Sequence, residues 1–133
     1  MMANFCLLIE TLESFIMGWE NSDRKSKFAF KLFFSNDQNF IELKDKGSQV
    51  YKHVRCGILH QGETTGGWRI SRQGVCFYDS KTNSIDASLF LAKIEASLAD
   101  YKKKLIDEDW DSELWDNFRV KMRKIISNCE KLD

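Results

Sequence analysis

The stretch that decides the fold is QNFIELKDKGSQVYKHVRCGILHQ, residues 38–61. Its apolar side chains recur every three or four residues, which is the period of an α-helix with one buried face. The stripe consists of Phe40, Leu43, Gly47, Val50, Val54 and Ile58. Gly62 follows directly, and glycine is the typical residue at a helix C-terminus. The pattern predicts one long amphipathic helix over 38–61, the third helix of the chain.

Helical periodicity continues on both sides of this segment. It predicts a first helix up to Trp19, a second over about 25–34, a fourth that begins after Asp86, and a last helix that begins in the acidic segment 107–116. The chain contains no proline, the strongest helix breaker, so long helices are possible.

The period changes between the third and fourth helices. Residues 64–67 read as a loop, and 68–71 and 75–79 read as short strands, which form a β-hairpin or part of a three-stranded meander. The predicted fold is a mainly α bundle of four to five helices with a short β-hairpin insertion, in a single domain over 1–133. Because the chain opens directly on a helical pattern, a missing natural N-terminal helix stays an open alternative.

The overall charge excludes a basic field over the whole molecule. Twenty Lys and Arg balance twenty Asp and Glu, so nucleic-acid binding would need a local patch. Residues 44–72 supply one, with six basic side chains against two acidic ones. Among them, Lys52, Arg69 and Arg72 are candidate RNA-phosphate contacts, the alternative being an ordinary solvated face. Trp68 fits a hydrophobic anchor better than a base-stacking platform.

The cysteines do not indicate a metal or a disulfide framework. Cys6, Cys56, Cys76 and Cys129 form no C-x-x-C pair, which favours reduced thiols in a cytoplasmic protein. We expect no metal and no cofactor. The opening segment 1–19 is apolar, but Glu10 and Glu13 interrupt it, so we expect neither a signal peptide nor a membrane contact.

The chain has only two histidines, His53 and His60, and both lie in the predicted third helix. Arg55 and His60, with four residues between them, lie about 140° apart around a helix. The face between them holds Ser48, Lys52, Cys56 and Leu59. Leu59 and Cys56 lie among polar groups on this face, which suits a packing surface such as a homodimer seam. We interpret His53 as a surface residue.

The segment YKHVRCGILHQGETTGGWRI, residues 51–70, resembles the R-x4-6-H motif of the HEPN superfamily. More narrowly it is similar to uncharacterised, plasmid-associated bacterial HEPN proteins. The resemblance implies a helical bundle that dimerises, so that two motifs meet across a cleft. Many members are metal-independent endoribonucleases of toxin–antitoxin, phage-defence or RNA-processing systems. Carried over by position, Arg55 and His60 match the catalytic Arg and His.

One position departs from the family pattern. The residue after the arginine is commonly polar in active members, whereas here it is Cys56, whose thiol is a weak hydrogen bonder. The resemblance therefore implies either an active ribonuclease or a non-catalytic HEPN module that binds nucleotide, RNA or a protein partner such as an antitoxin. A purely structural dimerisation domain is a third alternative.

Metal-free RNA cleavage explains why these two residue types matter. A histidine, whose ordinary pKa is near 6.5, moves protons to and from the reacting oxygens, and an arginine stabilises the charge that develops on the phosphate. If both residues line a cleft, removing either should leave the protein folded. The alternative interpretation is that Arg55 pairs with a surface acid and His60 caps the helix C-terminus.

Overall fold

A computed structural model describes residues 1–131 of the chain. The α-helices are α1 (Met2–Met17), α2 (Ser26–Asn36), α3 (Gly47–Gln49), α4 (Cys56–Gln61), α5 (Ala87–Asp107) and α6 (Glu113–Glu130). A 3-10 helix spans Gln38–Leu43 and a π-helical segment spans Val50–Arg55. The strands are β1 (Arg69–Ser71), β2 (Tyr78–Asp79) and β3 (Ser84–Asp86). The protein is mainly helical with a small β insertion before α5, as predicted.

Three consecutive helical pieces, α3, the π-helical segment and α4, form one uninterrupted rod that we call the central helix (47–61). The predicted single helix over 38–61 is wrong before this point. The Asp37 side chain accepts a hydrogen bond from the Asn39 amide and starts a 3-10 helix, and Phe40 leaves helical geometry with φ −114° and ψ 31°. Phe40, before this bend, and Val50, after it, are both buried in the core.

The core is built from phenylalanine rings. Phe40 is fully buried, and its ring centroid lies 4.9 Å from that of Phe90 and 5.1 Å from that of Phe33. Phe5 of α1 stacks on Phe90 at 5.5 Å. Aromatic pairs at these separations stabilise a core beyond their buried area alone. The core therefore joins α1, α2 and α5 around the 3-10 helix.

The sheet has the strand order β1–β3–β2, with β1 parallel and β2 antiparallel to β3. The predicted pairing of the first two strands is wrong, because β3 lies between them. The Asp86 carboxylate, at the end of β3, accepts hydrogen bonds from the Gly74 amide and from the amides of Ser88 and Leu89 at the start of α5. Asp86 is thus the N-cap of α5, which begins directly after it as predicted.

The last helix packs on the first. The Phe15 and Phe118 rings lie 5.4 Å apart, and the Asn117 side chain donates a hydrogen bond to the Ile16 carbonyl. The helix is capped by Ser112 and carries Glu113 in its first turn, in agreement with the predicted acidic start. Within residues 1–131, the helices are too short or too polar to cross a bilayer.

Candidate active site

Arg55 lies at the end of the π-helical segment and points at α1. Its Nε lies 2.8 Å from Oε1 of Glu10, and the side chains of Arg55 and Glu10 are only 16% and 8% exposed. The acid that Arg55 pairs with is therefore a buried one, which corrects the alternative interpretation of a surface ion pair. Within one protomer the Arg55 side chain is therefore mostly covered.

Glu10 is in turn held from the opposite side. Its second oxygen, Oε2, accepts a hydrogen bond of 3.0 Å from the Ser26 hydroxyl at the start of α2. The carboxylate thus joins α1, α2 and the central helix. A carboxylate this deeply buried is tolerated when charged and hydrogen-bonding partners surround it, as they do here.

The charge of Arg55 is stabilised despite its burial. Burial by itself lowers the pKa of an arginine, but the hydrogen bond and the negative charge of Glu10 outweigh it, so the pKa of Arg55 is raised. The Tyr51 ring lies 5.4 Å from the guanidinium carbon, within cation–π distance. Among residues 1–131, Glu10 is the one carboxylate within ion-pair distance of this guanidinium, and it contacts Nε.

Cys56 and Cys6 lie next to this pair. Nη1 of Arg55 lies 3.9 Å from Sγ of Cys56, a long and weak contact. Burial raises the pKa of the Cys6 thiol to about 12, although the positive charge of Arg55 opposes the shift. All four cysteines are free. Both thiols near Arg55 are thus poor hydrogen-bond acceptors, so neither is a strong partner for the Nη groups of Arg55.

His60 has the opposite environment. It is exposed in the last turn of α4, two residues before Gly62, which closes the helix in the left-handed conformation with φ 75°. An α-helical step of five residues turns by about 140°, so His60 points away from the side on which Glu10 holds Arg55. Within one protomer the two side chains therefore point to different sides of the central helix.

The π-helical turn brings the following loop back onto the helix. The carbonyl of His53 accepts a hydrogen bond of 2.9 Å from the Thr65 amide, and its ring Nδ1 lies 3.0 Å from the Thr65 hydroxyl. A Cβ on Gly57 would meet the Glu63 carbonyl oxygen at 2.6 Å, so this helix position requires glycine. The interpretation of His53 as a surface residue is wrong: it is half-buried and anchors the loop. π-helical turns are rare and are often found at functional sites.

The basic candidates lie in three places. Lys52 is exposed on the central helix, one residue beside His53. Arg72 lines an open cavity of about 420 Å³ with Ile58 and Glu63, close to the end of the central helix. Arg69 lines a different cavity, on the sheet, together with Asp79.

Trp68 is buried and stacks on Tyr78 at 5.7 Å, so the anchor interpretation is confirmed.

The expected homodimer face is accessible. Lys52 and Leu59 are exposed and Cys56 is half-buried, and Leu59 is 41% exposed. Exposed leucines are individually ordinary, but this one lies one residue before His60.

Glu10 is the residue that sequence reasoning did not assign to the site. The signal was present, because Glu10 and Glu13 interrupt an otherwise apolar helix.

No protein-family model matches the chain, and no curated protein or solved structure is significantly similar to it. The resemblance of residues 51–70 to the HEPN motif and the geometry around Arg55 are therefore the two grounds for a functional proposal.

Proposed function

We propose that the protein is a metal-independent endoribonuclease of the HEPN type, with Arg55 and His60 as its catalytic residues at a homodimer cleft. The observation that carries the proposal is the state of Arg55: a buried glutamate fixes Nε, while the Nη edge has only a weak thiol contact within the part of the chain that the structure describes. A guanidinium fixed in this way needs no reorganisation when charge develops on a bound phosphate. A toxin–antitoxin or defence setting belongs to the same proposal.

The reaction is an internal transfer within the RNA. The 2′-oxygen forms a bond to phosphorus while the bond from phosphorus to the 5′-oxygen breaks. A histidine accepts the 2′-hydroxyl proton, and the departing 5′-oxygen receives a proton, so the products are a 2′,3′-cyclic phosphate and a 5′-hydroxyl. His60 is exposed and reaches solvent-borne RNA without rearrangement of the core. Arg55 stabilises the extra negative charge on the phosphate oxygens.

The directions of the two side chains support the proposed dimer. Because Arg55 and His60 point about 140° apart in one protomer, we propose that the Arg55 of one protomer acts together with the His60 of the other. The face with Lys52, Cys56 and Leu59 is the proposed seam. Lys52 and Arg72 extend the positive charge toward the RNA backbone, and Arg69, on the sheet, makes a more remote contact.

A second candidate function is a non-catalytic module that binds nucleotide, RNA or a partner protein such as an antitoxin. One observation favours it: Arg55 is tied into a buried ion pair, and Cys56 stands where active members commonly carry a polar residue. In that case Arg55 acts as a clamp between α1 and the central helix.

The test is cleavage of a labelled RNA oligonucleotide with and without EDTA. Wild type should cleave in both, whereas His60→Ala and Arg55→Ala should not, and Arg123→Ala, an exposed arginine of α6, should cleave like the wild type. Circular dichroism of each variant shows which of them is folded. Absent wild-type cleavage, or cleavage that persists in both variants, contradicts the ribonuclease and leaves the binding module.

A further inference from the structure

The ion pair of Glu10 and Arg55 differs from every other ion pair of residues 1–131. The pairs Lys103–Asp107 and Arg119–Asp116 connect neighbouring turns of one helix with at least one exposed partner, and Lys93–Glu42 lies near the surface. In Glu10–Arg55, by contrast, Glu10 is buried and the half-buried Arg55 side chain is only 16% exposed. Burying two charges costs desolvation energy that an apolar pair of similar size avoids, so such a pair is a poor choice if stability is its sole role.

The way the carboxylate contacts the arginine is also unusual. A carboxylate commonly grips an arginine with both oxygens at once. Here Oε1 accepts from Nε alone, while Oε2 accepts from the Ser26 hydroxyl. The guanidinium is thus held at Nε, and among the described residues 1–131 the edge formed by Nη1 and Nη2 has only the weak Cys56 contact.

The plane of the guanidinium is restrained as well. The Tyr51 ring, one helical turn earlier, lies 5.4 Å from its central carbon, a cation–π contact that disfavours rotation. The Nη1 and Nη2 donors of Arg55 therefore point in a defined direction. The contact at Nε, the fixed Glu10 carboxylate and the Tyr51 ring together set this direction.

We infer that Glu10 is a positioning residue that aims the Nη edge of Arg55 at a phosphate group. Ser26 holds Glu10 in the orientation that leaves this edge unpaired. The inference rests on the proposed function for its catalytic consequence, but phosphate binding at Arg55 is a consequence that needs no catalysis.

Three variants separate positioning from a purely structural role. Glu10→Gln keeps an amide oxygen that accepts from Nε, Glu10→Ala removes the acceptor, and Glu95→Ala, an exposed glutamate on α5, is the matched control. Misplacement of a catalytic group by about 1 Å costs on the order of 100-fold, so Glu10→Ala should lose about that much in kcat with little change in KM. Glu10→Gln should recover most of this loss, and Glu95→Ala should match the wild type. A structural clamp would instead lower the folded fraction and leave kcat per folded molecule unchanged.

The second readout is NMR of the Arg55 Nε–H signal during titration with inorganic phosphate. In wild type and Glu10→Gln the Nε–H proton should be protected from exchange with solvent, and its signal should shift when phosphate is added. In Glu10→Ala the protection should vanish and phosphate binding should weaken by about tenfold or more. If phosphate does not shift the wild-type signal, or shifts it equally in Glu10→Ala, the positioning role is wrong. If phosphate binds as expected but wild type does not cleave RNA, the proposed function fails while the positioning role stands.

Discussion

The two ends of the motif in the central helix are built in opposite ways. Arg55 is half-buried, ion-paired and within cation–π distance of a tyrosine, whereas His60, five residues later, is exposed and, within residues 1–131, makes no side-chain hydrogen bond. The fold itself therefore determines the orientation of Arg55, while the surroundings of His60 depend on what binds there. The comparison teaches that two residues five positions apart on one helix can differ fully, one fixed by the fold and the other exposed on the surface.

The largest expected effect is on cleavage by His60→Ala. Loss of a general acid–base costs about 10²- to 10⁴-fold, so cleavage should fall below detection. Because His60 is exposed, thermal unfolding should be the same as for wild type. Gel-based cleavage and a melting curve on one sample check both parts. A large drop in the melting temperature would mean that His60 supports the fold and would remove the contrast between the two ends.

Arg55→Ala should lose both activity and stability. The sequence alone predicts a variant that stays fully folded, but the buried Glu10 would be left without its partner, at a cost of roughly 3 kcal/mol in the free energy of unfolding. Chemical denaturation measures this difference. The double variant Glu10→Met with Arg55→Met should regain stability and remain inactive, because well-packed apolar pairs replace buried ion pairs without loss. If Arg55→Ala is as stable as His60→Ala, Arg55 contributes no more to the stability of the fold than His60 does, and the contrast between the two residues is wrong.

Glu13, one turn after Glu10, makes the protein less stable as the pH rises. Burial, with a smaller contribution from the charge of Asp37, raises the pKa of Glu13 to about 7 from its ordinary value of 4.5. The folded state thus holds a proton that the unfolded state releases between these values, so stability is full below about pH 4.5 and declines toward pH 7. The loss is at most about 3 kcal/mol. Glu13→Gln should flatten this part of the curve of unfolding free energy against pH, and an unchanged curve would contradict it.

The smallest expected effect concerns the proposed seam. Leu59→Arg places a charge in a contact that excludes water and should weaken the homodimer by about tenfold or more. Leu91→Arg is the matched control, because Leu91 is similarly exposed on α5. Analytical ultracentrifugation at tens of micromolar compares the two. A wild type that stays monomeric, or a Leu59→Arg dimer as tight as wild type, would place the seam elsewhere.

The apolar period of the sequence was enough to predict the buried side of the central helix but not its start. Gly47, Val50 and Val54 are all buried as the helical period predicts. The break before the helix depends on tertiary contacts: a Cβ on Gly47 would meet the Phe30 carbonyl at 2.7 Å, so this turn is fixed by its close approach to α2. A one-dimensional pattern holds no information on such an approach.

The site was predictable in part for a similar reason. Arg55 was recognisable from its spacing to His60, and Glu10 from its place within an apolar helix. Their contact spans 45 positions of sequence and is created by the packing of α1 on the central helix. The spacing of residues in a sequence describes one helix or strand at a time. A contact between residues on two helices can be recognised only when the relative position of the two helices is known.

Mixing two inactive variants tests the central claim most directly, namely that Arg55 and His60 of different protomers act together. Arg55→Lys keeps the charge beside Glu10 but lacks the fork of donors, and His60→Ala lacks the acid–base, so each alone should be inactive. After equal mixing and exchange of protomers, about half of the dimers are mixed, and each of these has one intact site. The account predicts that cleavage returns to about one quarter of the wild-type rate. A mixture as inactive as its components, beside an active wild type, would contradict it.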